Sequence, residues 1–136
     1  MWDFTWDSKF ADQNTRSLQY INRGHVEAPI EIAVEGPVAN LKIQLFAEGE
    51  LAQEVHINTE IAEYEKILYG TKENDFYINK QNTDGTLESL FSLDVLNFEE
   101  DVVVRIPKNK SCELKLVAEN EILSAEVTIL PQYKTV

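Results

Sequence analysis

APIEIAVEGPVANLKIQLF, residues 28–46, alternates apolar and polar side chains, stops at Gly36-Pro37, and alternates again. Ile30, Ile32, Val34, Leu41, Ile43 and Leu45 fall on one side of the alternation, and Glu31, Lys42 and Gln44 on the other. A period of two belongs to a strand with one face buried and one face in water. The stretch therefore predicts two half-buried strands, 30–35 and 41–47. The Gly-Pro pair marks the short turn between them, because proline has no N–H to give to a ladder.

The same pattern continues in both directions. Trp2, Phe4 and Trp6 alternate with Asp3 and Thr5, which predicts a short strand with an aromatic face. LQYIN (18–22) predicts a second strand, ended by Gly24. After 41–47, Gly49 supplies the positive φ that a tight hairpin needs. A strand over 51–57 follows, with Leu51, Val55 and Ile57 inward and Glu54 and His56 outward. Further strands are expected near 65–69 and over 75–79. NTDG (82–85) is a hairpin signal, with TLESLF as the partner strand. Residues 92–98 read as a turn or a single helical turn. VVVRIP (102–107) reads as a strand ended by Pro107, and 112–118 with 122–130 as a final hairpin. Roughly nine to eleven short strands with turn signals about every 8–12 residues predict an all-β, antiparallel β-sandwich or small barrel.

Composition limits the function. The chain has 136 residues, enough for one domain with its own core. Its net charge is −12, from 24 carboxylates against 12 Lys and Arg. Such a field repels nucleic-acid phosphates and anionic membranes, so neither is an expected partner. No apolar run approaches the ~20 residues that span a bilayer, so no membrane insertion is expected. No secretory signal is read at the start. The single cysteine excludes an internal disulfide and is compatible with a reducing compartment.

Catalytic chemistry finds little support. His25 reads as a turn residue and His56 as a surface residue, with no His-x-His or similar metal spacing. Cys112 alternates with Leu114, Leu116 and Ala118, the apolar side of a strand, with no base beside it. Glu27, Glu31 and Glu35 read as a solvated face, and Glu99-Glu100-Asp101 lacks the spaced pattern of a calcium loop. No Gly-x-Ser-x-Gly elbow or phosphate-binding glycine loop is present. The expectation is no enzyme, no catalytic set, no cofactor and no metal. The candidate contacts for a sugar or a protein partner are aromatic: Trp2 and Trp6 first, with Tyr69 and Tyr77 behind.

From Asn22 onward the order of features resembles the C-terminal domain of siphovirus-type phage distal tail proteins. The resemblance is carried by NRGHVEAPIEIAVEGPVANLKIQLF, by INTEIAEYEKILYGTKENDFYINKQNTDGTLESLF and by FEEDVVVRIPKNKSCELKLVAENEILSAEVTIL. Three turn positions depart from the family pattern. His25 follows Gly24 where Asp is common, Leu41 follows Asn40 where Pro is usual, and Asn109 stands where Gly is usual. The resemblance implies a galectin-like, jelly-roll type sandwich over 22–136. Residues 1–21 would be an N-terminal strand segment or a remnant of a preceding domain. It implies a structural piece of a phage or prophage tail tip or baseplate, assembled in the bacterial cytoplasm into the virion tail. Its partners would be other tail proteins and receptor-binding proteins, with full-length members forming a hexameric ring. The alternative reading is a carbohydrate-binding module that attaches to cell-surface sugars. The His-x-Asn-x-Arg and Trp-x-x-Glu signature of true galectins is absent, so the shared shape does not imply lectin activity.

Overall fold

The structure, a computed structural model, describes residues 2–6, 15–24, 26–72, 75–92, 95–97, 101–119 and 124–130. Eleven strands run through them: β1 (Trp2–Trp6), β2 (Thr15–Ile21), β3 (Ala28–Glu35), β4 (Val38–Ala47), β5 (Glu50–Ile61), β6 (Lys66–Lys72), β7 (Asp75–Gln81), β8 (Leu87–Ser89), β9 (Arg105–Ile106), β10 (Ser111–Val117) and β11 (Ala125–Ile129). They form an antiparallel β-sandwich. One sheet has the order β1-β11-β3-β6-β7-β8 with β9 added on β3, and the other is β2-β10-β4-β5.

The wiring is one antiparallel ribbon folded on itself. β4 and β5 form the tip, joined by a two-residue turn in which Glu48 (φ 51°) and Gly49 (φ 83°) are both left-handed. Behind the tip β3 pairs β6, then β2 pairs β10, then β1 pairs β11. Successive pairs lie in alternate sheets, which is the jelly-roll arrangement. Residues 2–6 and 15–21 thus each supply an edge strand, one to each sheet.

The opening stretch therefore belongs to both layers. β3 lies in the larger sheet and β4 in the smaller, and Gly36-Pro37 carries the chain from one to the other. At this corner Gly36 N–H donates to the Glu65 carbonyl (2.8 Å) and Glu35 N–H to the Ser124 carbonyl (3.0 Å). Pro37 has no N–H to satisfy, and it is exposed. The expected inward residues of both strands meet in the core. Ile30, Ile32 and Val34 face Leu41, Ile43 and Leu45, together with Val55, Ile57, Ile67, Leu114, Leu116, Val127 and Ile129, all buried.

Four expectations need correction. β10 and β11 are not a hairpin: β10 pairs β2 and β4, whereas β11 pairs β1 and β3. Both strands are apolar on one side only, and a jelly roll satisfies that by placing them in opposite layers. Leu51 is not inward but 51 % exposed. The register steps between the pairs Leu45–Gln53 and Phe46–Leu51, so Ala52 is an extra residue. A one-residue bulge sends the following side chains to the other face. The partner strand TLESLF shortens to Leu87–Ser89, because its continuation turns inward to bury Leu90.

The run 102–107 forms a ladder only at Arg105–Ile106, against Ala28 and Pro29. Upstream, side chains replace the ladder. Tyr69 Oη donates to the Val102 carbonyl (2.6 Å) and accepts from Val104 N–H (2.8 Å). Thr71 Oγ1 donates to the Val104 carbonyl (2.8 Å) and accepts from Ile30 N–H (3.0 Å). Gln53 Nε2 donates to the Val103 carbonyl (3.1 Å). Val104 is still fully buried, so the β-branched run serves packing without a continuous ladder. Near the turn expected over 92–98, the Ser92 carbonyl accepts from Val95 N–H (3.2 Å) and Leu96 N–H (2.9 Å). Leu96 is buried and bridges to Ile57.

Two substitutions test this account. A Cβ on Gly36 would sit 2.2 Å from the Ala62 carbonyl oxygen, a backbone atom just past the end of β5. Gly36→Ala is expected to lower unfolding free energy by about 1–3 kcal/mol in urea melts, as overpacking does. Tyr69→Phe keeps the ring but leaves Val104 N–H without its acceptor, and is expected to cost about 1–3 kcal/mol in the same assay.

Candidate functional site

Of the expected aromatic contacts, Tyr69 and Tyr77 do not converge. Of Trp2 and Trp6 only the backbone is described, on β1 opposite Ile129 and Ala125. His25, Glu99 and Glu100 lie outside the described residues. Tyr69 points into the core with 0 % exposure, its hydroxyl used on Val102 and Val104 and its ring edge-to-face with Phe76 at 6.0 Å. It presents no surface to a sugar or a partner, which corrects its place among the contacts. Burial drives its phenol pKa well above the ordinary value, chiefly by desolvation.

Tyr77 lies on the opposite side of the same sheet, so the two tyrosines cannot share a ligand. Its ring covers the bare Cα of its cross-strand partner Gly70, where a Cβ would come within 2.4 Å of it. Its hydroxyl donates to Glu31 Oε2 (3.3 Å). Partial burial first, and the Glu31 charge second, push its pKa up to about 12.

Two depressions stand out. The first, about 250 Å³, is lined by Phe76, Tyr77, Ile78, Asn79, Ser89 and Phe91 at the short edge strand β8. Phe91 and Leu87 are 51 % and 56 % exposed there, and the Phe76 and Phe91 rings meet edge-to-face at 5.8 Å. The second, about 490 Å³, opens on the outer face of the four-stranded sheet. It is lined by Asn40 and Lys42 of β4, His56 and Asn58 of β5, and Val117, Ala118 and Glu119 at the end of β10. Lys42 sits between His56 and Val117 as their direct cross-strand neighbour. Asn40 falls at a register shift between Ala39 and Leu41 and has φ 52°. Asparagine adopts this left-handed region at low cost among non-glycine residues. The Ala39 carbonyl accepts from Glu119 N–H (3.0 Å), tying the end of β10 to the bulge.

Further along this face the side chains are occupied with one another. Glu54 accepts from Gln44 Nε2 and lies 3.5 Å from His56 Nε2. Lys115 pairs with Glu113 (3.7 Å) and stands 4.8 Å over the Phe46 ring. Cys112, on the inner face, is buried; burial raises its thiol pKa, with Glu48 adding to the rise. That is the reverse of an activated thiolate. No cluster of three metal-ligating side chains occurs among the described residues. Asn40, Asn58 and Glu119 carry no site signal in the sequence, because each is an ordinary turn or edge residue until the bulge brings three strand ends together.

A chain in the structure of the phage P2 baseplate in its activated conformation with Ca shares this fold, with a TM-score of 0.57 and 21 % identity. The match covers 87 % of this chain and 37 % of that one. No protein-family model and no curated protein matches the sequence.

The tyrosines predict a pH effect. A folded-state pKa raised above the unfolded value of about 10 contributes stability that is complete below pH 10 and is lost as pH rises. Unfolding free energy is expected to fall between pH 10 and about 12, where Tyr77 titrates. Tyr77→Phe is expected to make that decline shallower in urea melts, and to remove a phenol titrating at about 12 from the ultraviolet absorbance curve.

Proposed function

We propose that this chain is a structural domain of a phage or prophage tail tip, and that its surface docks neighbouring baseplate or receptor-binding proteins. The observation that carries the reading is the fold shared with a phage P2 baseplate chain over most of this sequence. The order of turn and strand signals from Asn22 onward, resembling the distal tail proteins, supports the finer placement. Asn109 supports it further. It stands where that family has glycine, and its φ of 56° is the conformation that glycine provides.

In this reading the domain is not an enzyme, and its work is done by surfaces. The buried Cys112 and the Glu54-bound His56 fit that role better than a catalytic one. The chain spans 37 % of the baseplate chain that it matches, so ring formation and the choice of partner belong to the whole protein. A net charge of −12 favours partners that offer basic surfaces, with association that weakens as salt rises.

The test is to purify tailed particles from the source bacterium after prophage induction. Mass spectrometry should find the chain as a particle constituent, and immunogold labelling should place it at the tail tip. Particles with intact tails that lack the chain would overturn the proposal.

A further inference from the structure

We propose that the groove on the outer face of the four-stranded sheet binds a neutral saccharide. The inference is independent of the tail-tip reading, since it concerns what this surface can hold wherever the domain is mounted.

The first observation is unused hydrogen-bonding capacity. No hydrogen bond or ion pair joins the side chains of Asn40, Lys42, Asn58 or Glu119 to another described residue, although all four line one groove. On the same face Gln44 donates to Glu54, Glu54 lies 3.5 Å from His56 of the groove wall, and Glu113 pairs with Lys115. Asn58 and Glu119 are exposed and Asn40 and Lys42 half-buried, so all four can turn to a ligand that enters from solvent.

The second observation is the bulge. Asn40 is held left-handed at a register shift, and Glu119 N–H is bonded to the carbonyl just before it. Bulges re-aim side chains, and this one gathers the ends of three neighbouring strands around a common space. Glu54, fixed by Gln44, orients the His56 imidazole on the opposite wall.

The chemistry of the lining then selects the ligand class. Lys42 only donates, Glu119 only accepts, and the two amides do both. A bare anion would meet Glu119 and a bare cation would meet Lys42, so neither sign of charge is favoured. An apolar ligand would find only Val117 and the edge of Ala118. A ligand with many hydroxyls, each able to donate and accept, matches the mixture. The space of about 490 Å³ lies within the range of ~300–1,000 Å³ usual for small-ligand sites. The lining has no aromatic platform, so binding would rest on hydrogen bonds, with a Kd of order ~1 mM for a disaccharide.

The test is an NMR titration of the full, isotope-labelled chain with maltose, cellobiose, lactose and the N-acetylglucosamine disaccharide, each alone. Inorganic phosphate and diglycine serve as charged and zwitterionic probes. At least one sugar is expected to give saturable shifts of the Asn40 and Asn58 side-chain amides and the Lys42 and Glu119 backbone amides. Asn40→Gly keeps the left-handed backbone and removes only the amide. It and Glu119→Ala should each weaken that binding about tenfold or more with an unchanged melting temperature. No saturable shift at these residues with any sugar overturns the proposal. So does binding by phosphate or diglycine in place of sugar, or sugar shifts centred on Tyr77 and Phe91. Absence of the chain from tails would leave a positive titration standing, and a negative titration would leave the tail-tip reading standing.

Discussion

The Ala62 carbonyl oxygen occupies the place where any side chain at position 36 would begin, 2.2 Å from an ideal Cβ. That contact closes the corner at which the ribbon passes between layers. Gly36 N–H is bonded to Glu65 on the same approach, so the β3–β4 and β5–β6 crossings support each other at one end of the sandwich. With the corner closed, β3 and β4 turn their apolar sides toward each other across the core rather than pairing edge to edge. Everything else in the jelly roll is registered from there. The β4–β5 tip, the β3–β6 ladder and the two outer pairs all extend from strands that this corner sets in opposite sheets.

The 101–106 segment shows how a core is finished where ladders run out. Tyr69, Thr71 and Asn22 are buried and polar, and each uses its hydrogen bonds on backbone rather than on other side chains. Asn22 Nδ2 reaches the Ile106 and Val26 carbonyls, and its Oδ1 accepts from Gly24 N–H. Among the described residues no buried side-chain nitrogen or oxygen lacks a partner. Val95 and the 101–106 segment together cover the outer edge of β5, through Asn58 N–H to the Val95 carbonyl and Gln53 to the Val103 carbonyl, which blunts a long edge strand.

Strands were readable in the sequence because a period of two survives any arrangement of the sheets. Partners were not readable, because a strand with one apolar side looks the same in either layer. β3 and β4 are close in sequence, as are β10 and β11, yet each pair is split between the two sheets rather than forming a hairpin. The hairpins that were legible are those with turn chemistry of their own, Glu48-Gly49 and Asp84-Gly85. The groove was illegible for a related reason. Straight counting from the Glu48-Gly49 turn sets Lys42 against Val55, whereas the extra residue Ala52 sets it against His56. Tyr69 was misplaced among the surface residues because tyrosine suits both a wet surface and a core with a hydrogen bond to offer.

The outermost pair of the ribbon has its own consequence. Trp2 is the register partner of Ile129, so the start of β1 and the end of β11 lie side by side, about 5 Å apart at the backbone. A domain whose entry and exit adjoin can be spliced into a surface loop of another protein as a detachable side branch. The host loop need only part by one strand spacing, and the entropy of closing it barely changes. Such a unit can be gained, lost or moved between larger chains without rewiring either partner.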